Sequence, residues 1–463
     1  MKLTYGVDAK PKAGQLILFA LQQLLAILAA TIAVPAIVGH GMSQSAALFG
    51  AGIGTLIYQL LTKFKSPVFL GSSFAFLPSM FAAFAGAATA AAGFAGILIG
   101  AGFAGLVYVL IAIAVKCIGV KWIDKLMPPV VIGPTVALIG LSLAHNAVGD
   151  ALKLAQYDGA NSVYVMNEGG WVCLICAFIT LVVVMISSVY GKKMAKMVPF
   201  IIGIAAGYAA AAIFTIVGKL SGIDAFKIIN FDLFINMKWL PDFTFLTAID
   251  GFAAIDGKYI ATIAVAYVPV AFVVFAEHLA DHKNISSIIE SDLLKDPGLH
   301  RTLLGDGLGS IAGAIFGGCP NTTYGESIGC VAISGNASVV TITATAVLAI
   351  VASFIAPFTT FLATIPSCVM GGVCISLYGF IAVSGLKMVQ KVDLNDNRNL
   401  FTVAAILICG IGGMALKIVD VTLTAIACAL IVGIFTNLLL SRKEGGNVHE
   451  EPAEQPEEPK ENK

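Results

Sequence analysis

Charge is what this chain has least of. Only 12% of its 463 residues are Asp, Glu, Lys or Arg, about half the quarter usual in soluble domains. Histidine is scarce, at six residues, and no His-Glu-x-x-His, no Gly-x-Ser-x-Gly and no clustered His–Cys set occurs. A membrane-embedded hydrolase or zinc peptidase therefore finds no support, and neither a metal nor a cofactor is expected. Net charge is zero, so bulk charge points to no partner, and no nucleic acid is expected. The nine cysteines are scattered through apolar segments. Cys173 and Cys176 form a lone C-x-x-C inside WVCLICAFIT, where small apolar core residues are the simpler reading. The Gly-rich GDGLGS run, Gly305 to Ser310, follows no strand and is not a dinucleotide fingerprint. The sequon Asn321-Thr322-Thr323 lies at membrane depth, which rules it out as a glycan acceptor.

Apolar residues are what the chain has instead, at 58%. Runs such as residues 15–38 and 421–440 are long enough to cross the roughly 30 Å hydrocarbon core. The first run is too long for a signal-peptide core and reads as a retained helix. Spans are expected near 14–38, 46–62, 67–83, 88–115, 128–146, 171–190, 198–218, 259–279, 305–318, 324–336, 338–357, 366–386, 400–416 and 421–440, about fourteen in all. With the N-terminus inside, only Lys153, Lys219, Lys227, Lys238, Lys258 and Lys417 of the 27 Lys and Arg fall outside. That asymmetry predicts a multi-pass protein of the cell membrane with both termini cytoplasmic. Residues 221–258 read as an outer loop and 281–304 as a polar inner connection. The Glu- and Pro-rich tail, 442–463, is expected to be disordered.

Two segments are ill suited to an unbroken helix: PVFLGSSFAFLP, from Pro67 to Pro78, and GGCPNTTYGESIG, from Gly317 to Gly329. Ser72-Ser73-Phe74-Ala75 in the first echoes Thr322-Thr323-Tyr324-Gly325 in the second. They fall in spans three and ten, and an odd offset of seven inverts one copy across the membrane. Interrupted segments at matching places in two halves point to a transporter's midplane site. Backbone that leaves the helix is tolerated in a membrane only where protein or a watery cavity satisfies it. Half-helices that start there aim free N–H groups at one point.

Few ionisable groups fall within the spans, and an intramembrane carboxylate is a functional candidate by default. Glu277 follows a seventeen-residue apolar or weakly polar run, and Glu326 lies in the second broken segment. Their structural alternatives are an ion pair with Lys283 and capping of the half-helix. Asp306 reads as structural, among small residues that favour close helix packing. Asp281 follows Glu277 by four residues on the same helix face. His282 is rotated about 100° from Asp281, and His278 reads as a packing or capping residue. An acid that shares a face with a second carboxylate is suited to exchanging protons.

The blocks AEHLADH (Ala276 to His282), PNTTYGES (Pro320 to Ser327), LGSSFAF (Leu70 to Phe76) and SLYG (Ser376 to Gly379), each weak alone but together at matching separations, resemble the bacterial uracil permeases of the nucleobase–ascorbate transporter family. The resemblance covers essentially the whole chain except the acidic tail. It implies an all-α polytopic fold of fourteen spans in two inverted repeats of seven, with short strands in segments 3 and 10. It implies a core domain of residues 1–125 (segments 1–4) and 259–360 (segments 8–11), and a gate domain of residues 126–220 (segments 5–7) and 361–441 (segments 12–14). It further implies symport of a nucleobase with protons, core sliding against gate, and a homodimer. Carried over by residue, Glu277 and Glu326 would hold uracil, with the backbone N–H groups of Phe74 and Gly325 on its carbonyls. Tyr324 and Tyr378 would be pocket aromatics, Ala30 a small residue of the first span, and Ser73 a further binding residue beside Phe74. Proton coupling would fall first to Glu277, then Asp281, then His282. The chain departs from relatives in carrying Asp281 where they often have His, and Gln22-Gln23 where they often have Gln-His.

The chemistry of the base agrees: two N–H donors for carboxylates, two carbonyls for backbone N–H groups, one flat ring for aromatic faces. Purine and xanthine branches typically carry Gln and Asn in place of the Tyr324-Gly325-Glu326 pattern, which favours uracil over a xanthine or purine carrier on the same scaffold. An anion carrier or channel would want a basic or uncharged tenth span, and Glu326 argues against it.

Overall fold

The computed structural model describes residues 3–119, 121–192, 194–235, 237–418 and 421–441. The tail 442–463, expected to be disordered, lies outside the described residues. The main helices are α1 (Ala13–Val38), α2 (Gln44–Leu61), α3 (Leu77–Ala85), α4 (Ala90–Ile118), α5 (Pro129–Ser142), α6 (Glu168–Tyr190), α7 (Pro199–Ser221), α8 (Gly257–Ile289), α9 (Leu299–Gly317), α10 (Gly325–Ser334), α11 (Val339–Ser353), α12 (Ser367–Val389), α13 (Asn397–Ile411) and α14 (Ala425–Ser441). Among the described residues seven are long and apolar enough to cross a bilayer: α1, α4, the continuous segment Pro129–Ala151 that contains α5, α6, α7, α8 and α12. The pair formed by α11 and Ala356–Ala363, bent by 82°, makes an eighth. The protein is a helical polytopic membrane protein, and its lipid-facing side carries exposed Leu, Ile and Phe, for example Leu110, Phe178, Leu220 and Phe435.

Among the described residues six short strands pair in three antiparallel couples: β1 (Leu70–Ser72) with β4 (Asn321–Thr323), β2 (Gln156–Asp158) with β3 (Val163–Val165), and β5 (Leu416–Ile418) with β6 (Val421–Leu423). The first couple matters most. Its register sets Leu70 opposite Thr323, Gly71 opposite Thr322 and Ser72 opposite Asn321. The ladder continues outward, since Ser73 N–H donates to the Pro320 carbonyl at 2.9 Å and Tyr324 N–H to the Phe69 carbonyl at 3.2 Å. The two broken segments thus satisfy each other's backbone where no water would do so. Thr55 on α2 extends the ladder, accepting from Leu70 N–H at 2.9 Å. Gln59 donates to the Ser66 carbonyl at 2.9 Å, and Asn321 donates its amide to the Gly50 carbonyl at 3.0 Å.

Around this crossing α2 and α9 run together, backbone against backbone. A methyl on Gly50 would lie 2.8 Å from the Gly313 carbonyl oxygen, and one on Gly54 2.8 Å from that of Gly309. The glycines of GDGLGS therefore serve close helix packing, as the sequence predicts for small residues.

Two connections differ from expectation. Residues 221–258 are no simple loop, because helix Thr244–Gly251 docks on α4 so closely that Gly251 lies against the backbone of Ala91 and Ala92. The polar stretch after 279 is helical as far as Ile289. Asp281 and His282 hold that extension in place through buried partners on other elements, described below.

A cavity between broken helices and two carboxylates

α3 and α10 both begin at one point. Each follows a strand of the β1–β4 couple, and the first N–H groups of any helix lack intrahelical partners. Tyr324 precedes α10 in extended conformation, φ −105° and ψ 120°. Its ring lies over Gly71, where a side chain would collide, and its hydroxyl donates to the Ser72 carbonyl at 2.7 Å.

At this point a cavity of ≈ 410 Å³ opens, within the about 300–1,000 Å³ of small-molecule sites. Ser73, Phe74, Glu277, Asp281, Tyr324, Gly325 and Glu326 all line it. The three carboxylates are half-buried, and Phe74 is buried. Asp281 Oδ2 accepts from the Thr323 hydroxyl at 2.7 Å, which ties α8 to β4. Glu326 stands in the first turn of α10, a helix whose N-cap residue, Tyr324, makes no side-chain capping bond. Lys283 is exposed, and among the described residues no ion pair joins it to Glu277. The far wall comes from other helices: Val136 on α5, Phe200 on α7, and Leu377, Phe380, Ile381, Ser384 and Met388 on α12.

Three of the expected site residues do not line the cavity. Ala30 is buried in α1. Tyr378 stands behind Phe74, ring centroids 5.8 Å apart and edge to face. His282 points away from Asp281, its Nε2 at 2.7 Å from the Tyr58 hydroxyl and its Nδ1 at 2.8 Å from the His278 carbonyl. The rotation of one residue along a helix accounts for this. Gln23, where relatives often carry His, donates to the Ser327 hydroxyl at 2.6 Å and so fixes α1 against the first turn of α10.

Sequence reasoning missed a second cluster behind the cavity. His278 Nδ1 lies 2.8 Å from Asp306 Oδ2, and its Nε2 lies 2.9 Å from the Thr302 hydroxyl. Both side chains of the pair are fully buried. The rings of His278 and His282 stack at 4.0 Å, and Tyr108 faces Asp306 from α4. His278 is thus neither a cap nor mere packing, and Asp306 has a chemical partner as well as small neighbours. Among the described residues no group of three or more His, Cys, Asp or Glu is arranged to hold a metal.

Three carboxylates set into a largely apolar cavity deep among helices, beside two broken segments, fit a membrane transporter. The sequence pattern of the permease family runs through residues 14–419, and the chain belongs to that family. It is similar to the uracil permease of Bacillus caldolyticus, 39% identical over 442 residues and 95% of each chain. It is also similar to the uracil permease of Bacillus subtilis, 37% identical over 445 residues and again 95% of each. Among solved structures it shares its fold with the transmembrane domain of a cyanobacterium bicarbonate transporter, BicA. That match has a TM-score of 0.62 at 17% identity and covers 94% of this chain and 100% of the other. At that identity the likeness speaks for the fold alone.

Proposed function

We propose that the chain is a proton-coupled uracil permease of the cell membrane, with both termini in the cytoplasm. One observation carries the reading: Glu277 and Glu326 share a single cavity with Ser73 to Ala75, the link that leads into α3, and with the first turn of α10. Uracil offers two N–H groups, two carbonyls and a flat ring. The carboxylates accept the N–H groups, the backbone N–H groups of Phe74 and Gly325 donate to the carbonyls, and the rings of Phe74 and Tyr324 bracket the plane. Tyr378 acts through its edge contact with Phe74, Ser73 adds to the polar wall, and Ala30 acts only as a small buried neighbour. The names of the two Bacillus relatives support uracil as the substrate. No Lys or Arg lines the cavity, which disfavours an anion carrier. A xanthine or purine carrier is the second reading on the same scaffold.

The proton rides first on Glu277. Asp281 shares its face and the same cavity, whereas His282 acts only from behind, through its stack with His278. Cytosine, whose N3 carries no proton, would leave a carboxylate unpaired and is rejected.

The fold we propose has fourteen segments in two inverted repeats, α3 and α10 being the helical halves of the broken ones. The core comprises segments 1–4 and 8–11, and the gate segments 5–7 and 12–14. The cavity lies on their seam: Ser73, Phe74, Glu277, Asp281 and Thr322 to Glu326 from the core face α5, α7 and α12 of the gate. Sliding the core along this seam would carry the base across the membrane in an elevator-like cycle, within a homodimer. The cavity extends along α12 from Leu377 to Met388, the end of the helix that the proposed orientation puts on the cytoplasmic side.

The test is uptake of labelled uracil by cells lacking their own permease, with and without a protonophore. Uptake should collapse with the proton gradient; concentrative uptake that persists and requires Na⁺ refutes proton coupling. Glu326→Gln should abolish binding, because the amide puts a donor where the base also donates. Glu277→Gln should impair coupled transport more than binding. If both variants accumulate uracil normally, the site is elsewhere.

A further inference from the structure

A second recess, of ≈ 450 Å³, lies beyond the Phe74–Tyr378 contact. Two helices fix its position relative to the cavity. On α1 it is lined by Ile37, fourteen residues past Gln23, which bonds Ser327 next to Glu326 of the cavity, and so about 21 Å further along the axis at 1.5 Å per residue. On α12 the cavity runs from Leu377 toward Met388, while the backbone of Asp150 and Ala151 at the recess packs against Gly371, at the other end of the helix. The two hollows are therefore stacked along the transport axis, with the Phe74 and Tyr378 rings between them.

The walls of the recess have a specific chemistry. Tyr157 and Tyr164 face each other across the β2–β3 couple, ring centroids 4.9 Å apart. His145 meets Tyr157 edge to face at 5.8 Å. The short helix Ala144–Ala151 brings His145, Asn146, Gly149 and Asp150 to the recess, the pairs His145–Gly149 and Asn146–Asp150 each sharing a face at a spacing of four. Asn146 supplies a donor and an acceptor, Asp150 an acceptor, and Lys153 donors, its Nζ 3.5 Å from Asp150. Phe81 and Ile37 form an apolar floor. Aromatic faces with a few donors and acceptors of both kinds suit a flat, uncharged ring with amide edges. One lysine already beside a carboxylate is a poor phosphate site.

We infer that this recess is a first binding station for the transported base, on the outer side of the closed rings. The inference rests on the nucleobase reading of the main cavity. The station is shallow, since Tyr157 is 49% exposed, so it binds weakly and releases fast. Ile37 and Phe81 come from the proposed core and the remaining walls from the proposed gate. A sliding core would therefore reshape the station as it exposes the cavity, passing the base inward.

The experiment is equilibrium dialysis of labelled uracil against the purified full chain. Unsubstituted protein should show a tight site and a second, saturable site about a hundredfold weaker. Glu326→Gln should keep only the weak site, at one per chain. Adding Tyr157→Ala and Asn146→Ala should remove it, while Tyr157→Phe, which keeps the ring, should not. Introduced alone into otherwise unsubstituted protein, the Tyr157→Ala and Asn146→Ala pair should leave tight binding intact and lower uptake at sub-saturating uracil about tenfold. Tyr157 is half exposed, so its loss removes no core packing. A weak site that is missing in both proteins, or indifferent to Tyr157 and Asn146, overturns the station. Absence of the tight site from unsubstituted protein overturns the cavity reading instead, and the weak site is scored separately by its dependence on these two residues.

Discussion

Thr323 gives its hydroxyl proton to Asp281 at 2.7 Å, so the strand of one broken segment holds the helix that carries Glu277. With the bonds of His278 to Asp306 and of His282 to Tyr58, this bond fixes the rotation of α8 about its axis at the level of the cavity. It also occupies the oxygen that would otherwise compete for a base.

Thr323→Val removes the donor and keeps the shape. Hydrogen bonds to charged groups contribute about 1.5–3 kcal/mol, so the KM for uracil uptake should rise about tenfold or more. Thr323→Ser should restore it. Equal KM values in the Val variant and the unsubstituted protein would separate Asp281 from the site.

His278 and Asp306 form a fully buried pair. Removing one partner strands the other, at a cost of about 3–5 kcal/mol, whereas replacing both with apolar residues is often close to neutral. His278→Leu should therefore melt well below the double variant His278→Leu, Asp306→Leu in detergent. A double variant less stable than either single change would mean the pair is not coupled in this way.

The contact between α2 and α9 predicts an asymmetry among glycines. Gly54→Val places carbon against the Gly309 carbonyl, and overpacking of that kind costs about 1–3 kcal/mol. Gly102→Ala on α4 meets nothing within 4 Å and should be neutral or slightly stabilising, by up to about 1 kcal/mol. Thermal melts of the two variants decide it.

Asp158 closes the β2–β3 turn. The Asn161 side-chain amide, then the backbone N–H groups of Asn161 and Ala160, hold its carboxyl below the usual carboxylate range. A depressed folded-state value contributes stability above the unfolded value of about 3.9, lost as pH falls through the folded one. Protection of the Ala160 and Asn161 amides against exchange should thus be flat from pH 7 to 5 and fall below about 4. Asp158→Ala should lack that protection at every pH.

The carboxylate-bearing side of the cavity was legible because it is written in exceptional residues. Carboxylates in apolar sequence, and Gly and Pro in the two broken segments, break the pattern of a spanning helix. Glu277, Asp281, Phe74, Tyr324, Gly325 and Glu326 do meet in one cavity. Its other wall was not legible. Val136, Phe200, Leu377 and Ile381 look like any membrane helix residue, and only the packing of α5, α7 and α12 turns them inward. The His278–Asp306 pair joins residues 28 apart on separate helices, and no local spacing signals it. His282 shows the opposite error: its proximity in sequence to Asp281 suggested a shared role, but a rotation of 100° sends it to Tyr58.

The pairing of Leu70–Ser72 with Asn321–Thr323 also has a consequence for biosynthesis. The second strand leaves the ribosome about 250 residues after the first, a delay of roughly 12–50 s at about 5–20 residues per second. Throughout that interval the earlier segment sits in the translocon or the bilayer with bare amides and carbonyls and no native mate. The N-terminal half expressed by itself should therefore be a substrate for membrane proteases, and only co-expression with the C-terminal half should rescue it.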